Sequence, residues 1–452
     1  MTGFAPQPRP TLPVLAADLA AGRTTSSTLV EEALARIANP AGEGRRTFVK
    51  VYADAARAAA EAQDRLRAAG YVASPLAGLP VSIKDLLDVA GDVTLAGSRA
   101  LDDIPPATAD APIVARLKAA GTVIIGRTNM TEFAFSGVGV NPHYGTPGNP
   151  HDRSLIPGGS SAGAPVSVAD GMAAVAIGTD TGGSVRIPAA LCGLVGFKPT
   201  QFRVPRDGAV PLSTTLDSIG PIGVSVACCA LTDTIMAGEP CEVPAAMPPD
   251  GLRLGIPKTV MLEDLEMPVA SAFERAVSAL ARAGVRIVEL PLEMLGDYAR
   301  ISIKGGLPVA EAFAWHEKLI ERQWSRLRPA HPNAHRAWPG HDGGRIHRPV
   351  ERARRFHPPL RRRDGSIRRV GDDDRGDDGP ADGGFRPGRG LRASQPKAAA
   401  QHRDHQFPRS LRADSADPGA RYAAGGSDDC RAPRRRPPPP RHRHRDGDCV
   451  IR

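Results

Sequence analysis

The sequence predicts an α/β fold, in a length that could hold two or three average domains or one large one. Three observations predict it. Short apolar runs alternate with stretches of helical periodicity between residues 14 and 291. Turn signals separate them, in a chain with 48 Gly and 44 Pro. The length of 452 residues, 41% of them hydrophobic, is enough to bury a sizeable core and excludes a small stapled scaffold. No internal repeat is present. The longest apolar runs, such as Met172 to Ile177, are too short to span a bilayer. The N-terminal MTGFAPQPRPTLP lacks the basic-then-apolar pattern of a signal peptide, so the expected location is the cytoplasm, with no membrane partner.

The elements follow in order. Residues 14–39 read as helices, the first ending at Gly22 and the second opened by a capping box from Thr28 to Glu31. Residues 50–69 are Ala-rich with helical spacing and stop at Gly70. Residues 76–83 read as a strand running into Lys84, Ile113 to Ala120 as a helix, and Thr122 to Gly126 as a buried strand. Ser136 to Gly163 is a long Gly/Pro/Asn/Ser stretch, and long loops in compact domains are often functional. Ala164 to Ala176 is helix-compatible and Gly178 to Ser184 is a second Gly-rich loop. Residues 251–256 and 286–291 read as strands flanking a helix from Val269 to Ala283.

The formal net charge of +9 divides unevenly. Residues 1–324 carry 28 Lys+Arg against 33 Asp+Glu, whereas residues 325–452 carry 30 against 16. The second part holds 29 Arg but only one Lys, Lys397, nine of the twelve His, and only 13 Leu, Ile, Val and Phe. That is too little apolar material for a core, so residues after about 325 are expected to be disordered or non-native. Three readings compete: an Arg-rich nucleic-acid-binding tail, a generic disordered tail, and translation from the wrong frame of a GC-rich gene. The third is favoured, with the break between Glu321 and Leu327. Lys397–Ser415, decoded one base forward with permitted codons, reads KLLRNTAIINFLDLCALT, which has an ordinary Lys/Arg balance.

The six cysteines form no CxxC and have no His at zinc-finger spacing, so buried or incidental thiols are expected. Two Ser-containing Gly-rich loops, Gly158 to Gly163 and Asp180 to Ser184, are more informative. A serine nucleophile needs a base and donors for an oxyanion. Only three His precede residue 325, namely His143, His151 and His316, so a histidine base is in thin supply. A buried, neutral Lys is the alternative. Lys84 follows an apolar Pro-Val-Ser-Ile run, although local sequence alone favours a surface charge or a partner for Asp85. Gly159 to Gly163 matches the nucleophile-elbow pattern, but the Pro-rich stretch before it cannot be the strand that motif needs.

Three blocks, GLPVSIKDLLDVAG, IPGGSSAGAPVSVADGMAAVAIGTDTGGSVRIPAALCGLVGFKPT and PLSTTLDSIGPI, together resemble the amidase signature family of serine hydrolases. The resemblance is dense from residue 76 to 223 and extends over residues 10–322. It implies a single large domain with a mixed central sheet covered by helices on both faces, and hydrolysis of a carboxylic amide through an acyl-serine, with no metal and no cofactor. It also implies a Ser–cis-Ser–Lys triad made of nucleophile Ser184, bridging Ser160 and base Lys84. The backbone from Thr181 through Gly182 and Gly183 to Ser184 would face the oxyanion. Ser161 is expected to bond within the site, and Asp180 and Arg186 to hold the loop. Asn129, Thr131 and Phe133 are candidates for the pocket lining. Ala162 departs from the family, which commonly has Gly there. The shifted tail string resembles the family's closing segment.

The expected partner is a small-molecule amide, and a homodimer is compatible with the sequence. The rival within the family is a glutamine amidotransferase component that works with tRNA partners. The net charge of −5 on residues 1–324 offers no RNA footprint. Nucleic-acid binding through the Arg-rich tail is the rival of another class.

Overall fold

In the computed structural model, which describes residues 9–297 and 306–327, the period-two alternation of strand side chains sends apolar residues to both sides of one sheet. Its strands are β1 (Phe48–Val51), β2 (Pro80–Lys84), β3 (Val123–Thr128), β4 (Val175–Asp180), β5 (Val195–Gly196) and β6 (Ser218–Gly223), in the order β1-β3-β2-β4-β6-β5. β2 runs parallel to β3 and β4, whereas β1, β5 and β6 pair antiparallel, so the sheet is mixed as the resemblance implies.

Helices α1 (Leu12–Ala20), α2 (Ser26–Ala38), α3 (Gly44–Thr47), α4 (Ala53–Ala68) and α5 (Pro112–Ala119) are followed by α6 (Gly163–Ala169) and α7 (Arg186–Leu191). Then come α8 (Val226–Ala237), α9 (Met267–Arg282) and α10 (Gly306–Gln323). Ile124, Val175 and Ile177 pack with Leu12 and Leu15 of α1, Ile113 and Leu117 of α5, Ile235 of α8 and Ala312 of α10. Val123 and Ile125 pack with Val30 and Leu34 of α2 and Ala56 and Ala60 of α4. Ala176, between Val175 and Ile177, joins Ala164 and Val168 of α6 and Ala189 of α7. Successive residues of β3 and of β4 thus enter different cores, as expected for a sheet covered on both faces. β7 (Arg253–Pro257) and β8 (Arg286–Leu290) form a separate parallel pair joined by α9, in the positions the sequence predicts.

Several boundaries differ from the sequence expectation for local reasons. α2 is capped by Thr25, whose side chain accepts from Thr28 N, so the cap lies three residues before the expected box. Residues 48–51 are strand, and the Ala-rich helix starts only at Ala53. The helix expected over residues 164–176 ends at Ala169, and Val175 and Ala176 open β4. An Ala/Val run has no period of its own, and pairing with β2 decides its state. β6 has no counterpart in the sequence expectation, because Pro221 and the two glycines, Gly220 and Gly223, argue against a strand. Pro221 serves there through its carbonyl, which accepts from Phe197 N at 3.1 Å. The Arg-rich segment, including Cys430 and Cys449, lies outside the described residues apart from its first three positions.

Among the described residues, no helix is long and apolar enough to cross a membrane. Cys192, Cys228 and Cys229 are buried free thiols, and burial pushes Cys192 and Cys229 up to about 12. A thiol in that range stays protonated at pH 8 and is a poor nucleophile. Iodoacetamide at pH 8 is therefore expected to spare both in the native protein and to label both in denaturant, as read by peptide mass spectrometry.

Candidate active site

Parallel pairing of β2 and β4 puts their C-terminal ends side by side, where ligands of open α/β sheets bind. The register Ile83↔Ile177 carries Lys84, the last residue of β2, to the edge that β4 reaches at Thr179 and Asp180. Lys84 is 0% exposed. Its Nζ donates to Ser160 Oγ and to Thr179 Oγ1, both at 2.8 Å. Burial lowers Lys84 from its ordinary value to about 7, opposed by the charges of Asp217 and Asp180. The neighbouring Asp85 does not take Lys84 as a partner. Its carboxylate accepts from Arg127 Nε at 2.7 Å, with both side chains buried. Burial raises Asp85, and Arg127 only partly offsets this. Successive residues of an extended segment face opposite ways, which separates the two roles.

Ser160 follows a cis peptide bond from Gly159. Its loop is fixed from several directions. Thr131 N donates to Ser160 O at 2.9 Å, and Ser161 N donates to Ser184 O at 3.4 Å. Ser161 Oγ donates to Thr179 O and accepts from Thr179 N, both at 3.4 Å. Gly159 N donates to Gly137 O at 2.8 Å. A Cβ on Gly139 would lie 2.2 Å from Gly158 O, and one on Gly159 would lie 2.7 Å from Gly139 N, so the two loops cross backbone against backbone. Ala162 has φ −62° and ψ −44°, a conformation in which its methyl group is unstrained.

Ser184 stands in the turn between β4 and α7, so the strand–turn–helix context that Ser160 and Ser161 lack is found at Ser184. Asp180 braces this turn. It accepts from Gly183 N at 2.8 Å, Val185 N at 3.3 Å, Arg186 Nε at 2.9 Å and Arg186 Nη2 at 2.9 Å. Burial alone would raise the Asp180 carboxyl, but Arg186 and these N–H groups outweigh it and hold the carboxyl below its usual range. Gly183 has φ +133°, and a Cβ there would meet Ile187 at 2.6 Å. Its N–H, expected to face an oxyanion, is committed to Asp180 instead. Gly182 N and Ser184 N carry no such commitment among the described residues.

Ser184 opens onto a cavity of about 1190 Å3 walled by Phe135, Val138, Leu155, Ile187 and Leu191. A second cavity, of about 510 Å3, is walled by Thr179, Thr181, Asp217, Arg206 and Trp315. The expected pocket residues are placed differently. Asn129 Nδ2 donates to Arg46 O and Gly145 O at 2.8 and 2.7 Å, Thr131 is buried, and Phe133 packs on His316 with ring centroids 4.4 Å apart. The Ser184 cavity takes Ala134 and Phe135 instead. Of the three histidines, His143 pairs with Glu132 at 2.7 Å and His151 lines the large cavity. Burial lowers His316 to about 4.

The amidase sequence profile matches residues 28–329. The chain belongs to the amidase family. This amidase-family chain is 43% identical over 282 residues to 2-amino-5-chloromuconic acid deaminase of Comamonas testosteroni, covering 61% of this chain and 60% of that protein. It is 42% identical over 287 residues to the A-type component of glutamyl-tRNA(Gln) amidotransferase of Chloroflexus aggregans, covering 61% and 58%. The chain thus spans about three-fifths of the length of these curated relatives. The peptide amidase structure from Stenotrophomonas maltophilia superposes with a TM-score of 0.65 at 33% identity, covering 76% of this chain and 79% of that one.

Arg127→Met would leave the Asp85 carboxylate buried without its partner. An expected loss of about 3–5 kcal/mol is checked by urea denaturation. Arg186→Ala leaves the backbone donors of Asp180 in place, and a smaller loss of about 1–2 kcal/mol is expected.

Proposed function

We propose that this chain hydrolyses a carboxylic amide to an acid and ammonia or an amine, through an acyl-Ser184 intermediate. The observation that carries the reading is Lys84. Its fully enclosed amine has a value near 7 and donates to a serine hydroxyl whose loop is bonded to that of a second serine. An ordinary lysine is cationic at neutral pH and accepts no proton, whereas this one is about half neutral.

In the proposed sequence, Ser184 Oγ attacks the amide carbon. Its proton passes to Ser160 as the Ser160 proton passes to Lys84, so the amine gains one proton and Ser160 stays neutral. The carbonyl oxygen becomes an oxyanion facing the N–H groups of the turn, where the uncommitted donors are those of Gly182 and Ser184. Thr181 N–H completes the expected set, and Gly183 supports it through Asp180. Lys84 returns its proton through Ser160 to the leaving nitrogen, the C–N bond breaks, and water hydrolyses the ester by the same relay. Ser161 and the Asp180–Arg186 pair keep the turn in place.

A glutamine amidotransferase component is the second reading. It is favoured by the 42% identity to the Chloroflexus aggregans protein, close to the 43% of the deaminase. Ammonia release from glutamine only on adding partner proteins would select it.

The proposal also covers the Arg-rich segment. We infer that residues after about 325 are translated out of frame, which their 29 Arg, one Lys and 13 Leu, Ile, Val and Phe support. Sequencing the gene tests this, and an uninterrupted frame encoding the segment as written overturns it. A frame-restored version is expected to be more soluble and more active than the chain as it stands.

Ser184→Ala is expected to lower amide turnover by at least about a thousandfold, and Lys84→Met to do likewise at neutral pH. In the active enzyme, kcat/KM should fall about tenfold per pH unit below about 7, because Lys84 is neutral only above its own value. A flat profile from pH 5 to 8 would contradict the lysine-base reading.

A further inference from the structure

Alternation along β4 continues into the turn, so Thr179 and Thr181 share a face and open on the same cavity of about 510 Å3. Thr179 Oγ1 accepts from Lys84 Nζ, and two residues on Thr181 Oγ1 donates to Asp217 Oδ1. Asp217 precedes β6, whose Ser218 pairs with Asp180. Its other oxygen accepts from Leu212 N at 2.9 Å and Ser213 N at 3.0 Å, closing a tight loop over residues 212–217. Glu311 of α10 grips the same loop, accepting from Ser213 Oγ, Thr215 N and Thr215 Oγ1.

Several charged groups surround this place. Asp180 is the other carboxylate acting on Lys84, and it is paired with Arg186. The Arg206 guanidinium donates to Thr214 O and Asp217 O, and Asp207 lies on the cavity wall. Glu311 is occupied by the loop. Among the described residues Asp217 forms no side-chain ion pair, yet of the two carboxylates it attracts Lys84 more strongly. Burial raises the Asp217 carboxyl above its ordinary value, and Thr181, the two N–H groups and the Lys84 charge only partly offset this.

We propose that Asp217 is a positioning residue for the reaction proposed above: its carboxylate holds the Thr181 end of the turn that carries Ser184, and it sets a negative charge that steadies Lys84 when the amine has taken the serine proton. The inference rests on Lys84 being the base. Lys84 becomes cationic as Ser184 attacks, with its amine fully buried, so a fixed anion there acts on the reacting state more than on the resting one. The sequence motif PLSTTLDSIGPI contains this Asp, and the Ser184 loop lies far from it in the chain.

The test follows phosphonylation of Ser184 in the full chain by an alkyl fluorophosphonate across pH 5 to 9. In this step Ser184 Oγ bonds to phosphorus, the P–F bond breaks, fluoride leaves with the electron pair, and the hydroxyl proton passes through Ser160 to Lys84. The readout does not depend on knowing the amide substrate. Asp217→Asn is expected to move the acid limb to lower pH and to slow the plateau about tenfold, the equivalent of one pK unit of lost cation stabilisation. Asp217→Glu, which keeps the charge, should keep the limb. Thr181→Val, which cuts the tether and spares the charge, should lower the plateau without moving the limb. A merely structural role for Asp217 would lower the labelled amplitude and leave the limb where it was, and that result, or a limb moved upward, overturns the proposal. The base reading fails separately, if the unaltered chain shows no limb near pH 7 or if Lys84→Met labels as fast as the unaltered chain.

Discussion

An ammonium group enclosed as completely as that of Lys84 loses its water, and two hydroxyl acceptors replace only part of what was lost. The rest of the site can be read as the set of constraints that keep this amine enclosed and aimed. Parallel β2 and β4 bring Lys84 to Thr179, the Ser160 loop closes over the amine, and Asp85 is drawn off by Arg127 so that Lys84 keeps no adjacent counter-ion. Had Asp85 paired with Lys84, the amine would be a stabilised cation and unable to accept a proton at neutral pH.

Asp180 marks the boundary between chemistry and support. Asp180 lies nearest in sequence to Ser184, yet it is saturated by Arg186 and the backbone of the turn. It shapes the loop and has no capacity left for proton transfer. Gly183 shows the same division within the turn, because its N–H is consumed in bracing. Its conformation at φ +133° brings the chain round to Ser184 and α7.

How much of this the sequence revealed depends on whether a residue acts locally or through a distant partner. The Ser160 and Ser184 loops and Lys84 are legible because Gly-rich loops and a lysine at a strand end are local patterns. The α/β class is legible because strand and helix periods alternate. The competing claims on Lys84 are not separable in sequence, since Arg127, which removes Asp85, lies more than forty residues further along the chain. Phe133 is expected in the pocket wall because it precedes the long loop, but packing on His316 of α10 turns it into the core and brings Ala134 and Phe135 forward. β6 is hidden because a strand with Pro and Gly forms only when its neighbours supply the ladder. Asp217 in its motif carries no mark of the hydroxyl it meets.

The crossing of residues 137–139 with residues 158–159 separates what evolution is free to alter from what it must leave alone. At Gly139 and Gly159 any side chain would collide with the opposing main chain, so both sites are locked to one residue type. Beside the crossing, Ser136 and Val138 line the large cavity. Substitution of Val138 would reshape the cavity that Ser184 faces and leave both glycines in place, so the lining can vary across descendants of this scaffold while the crossing stays fixed.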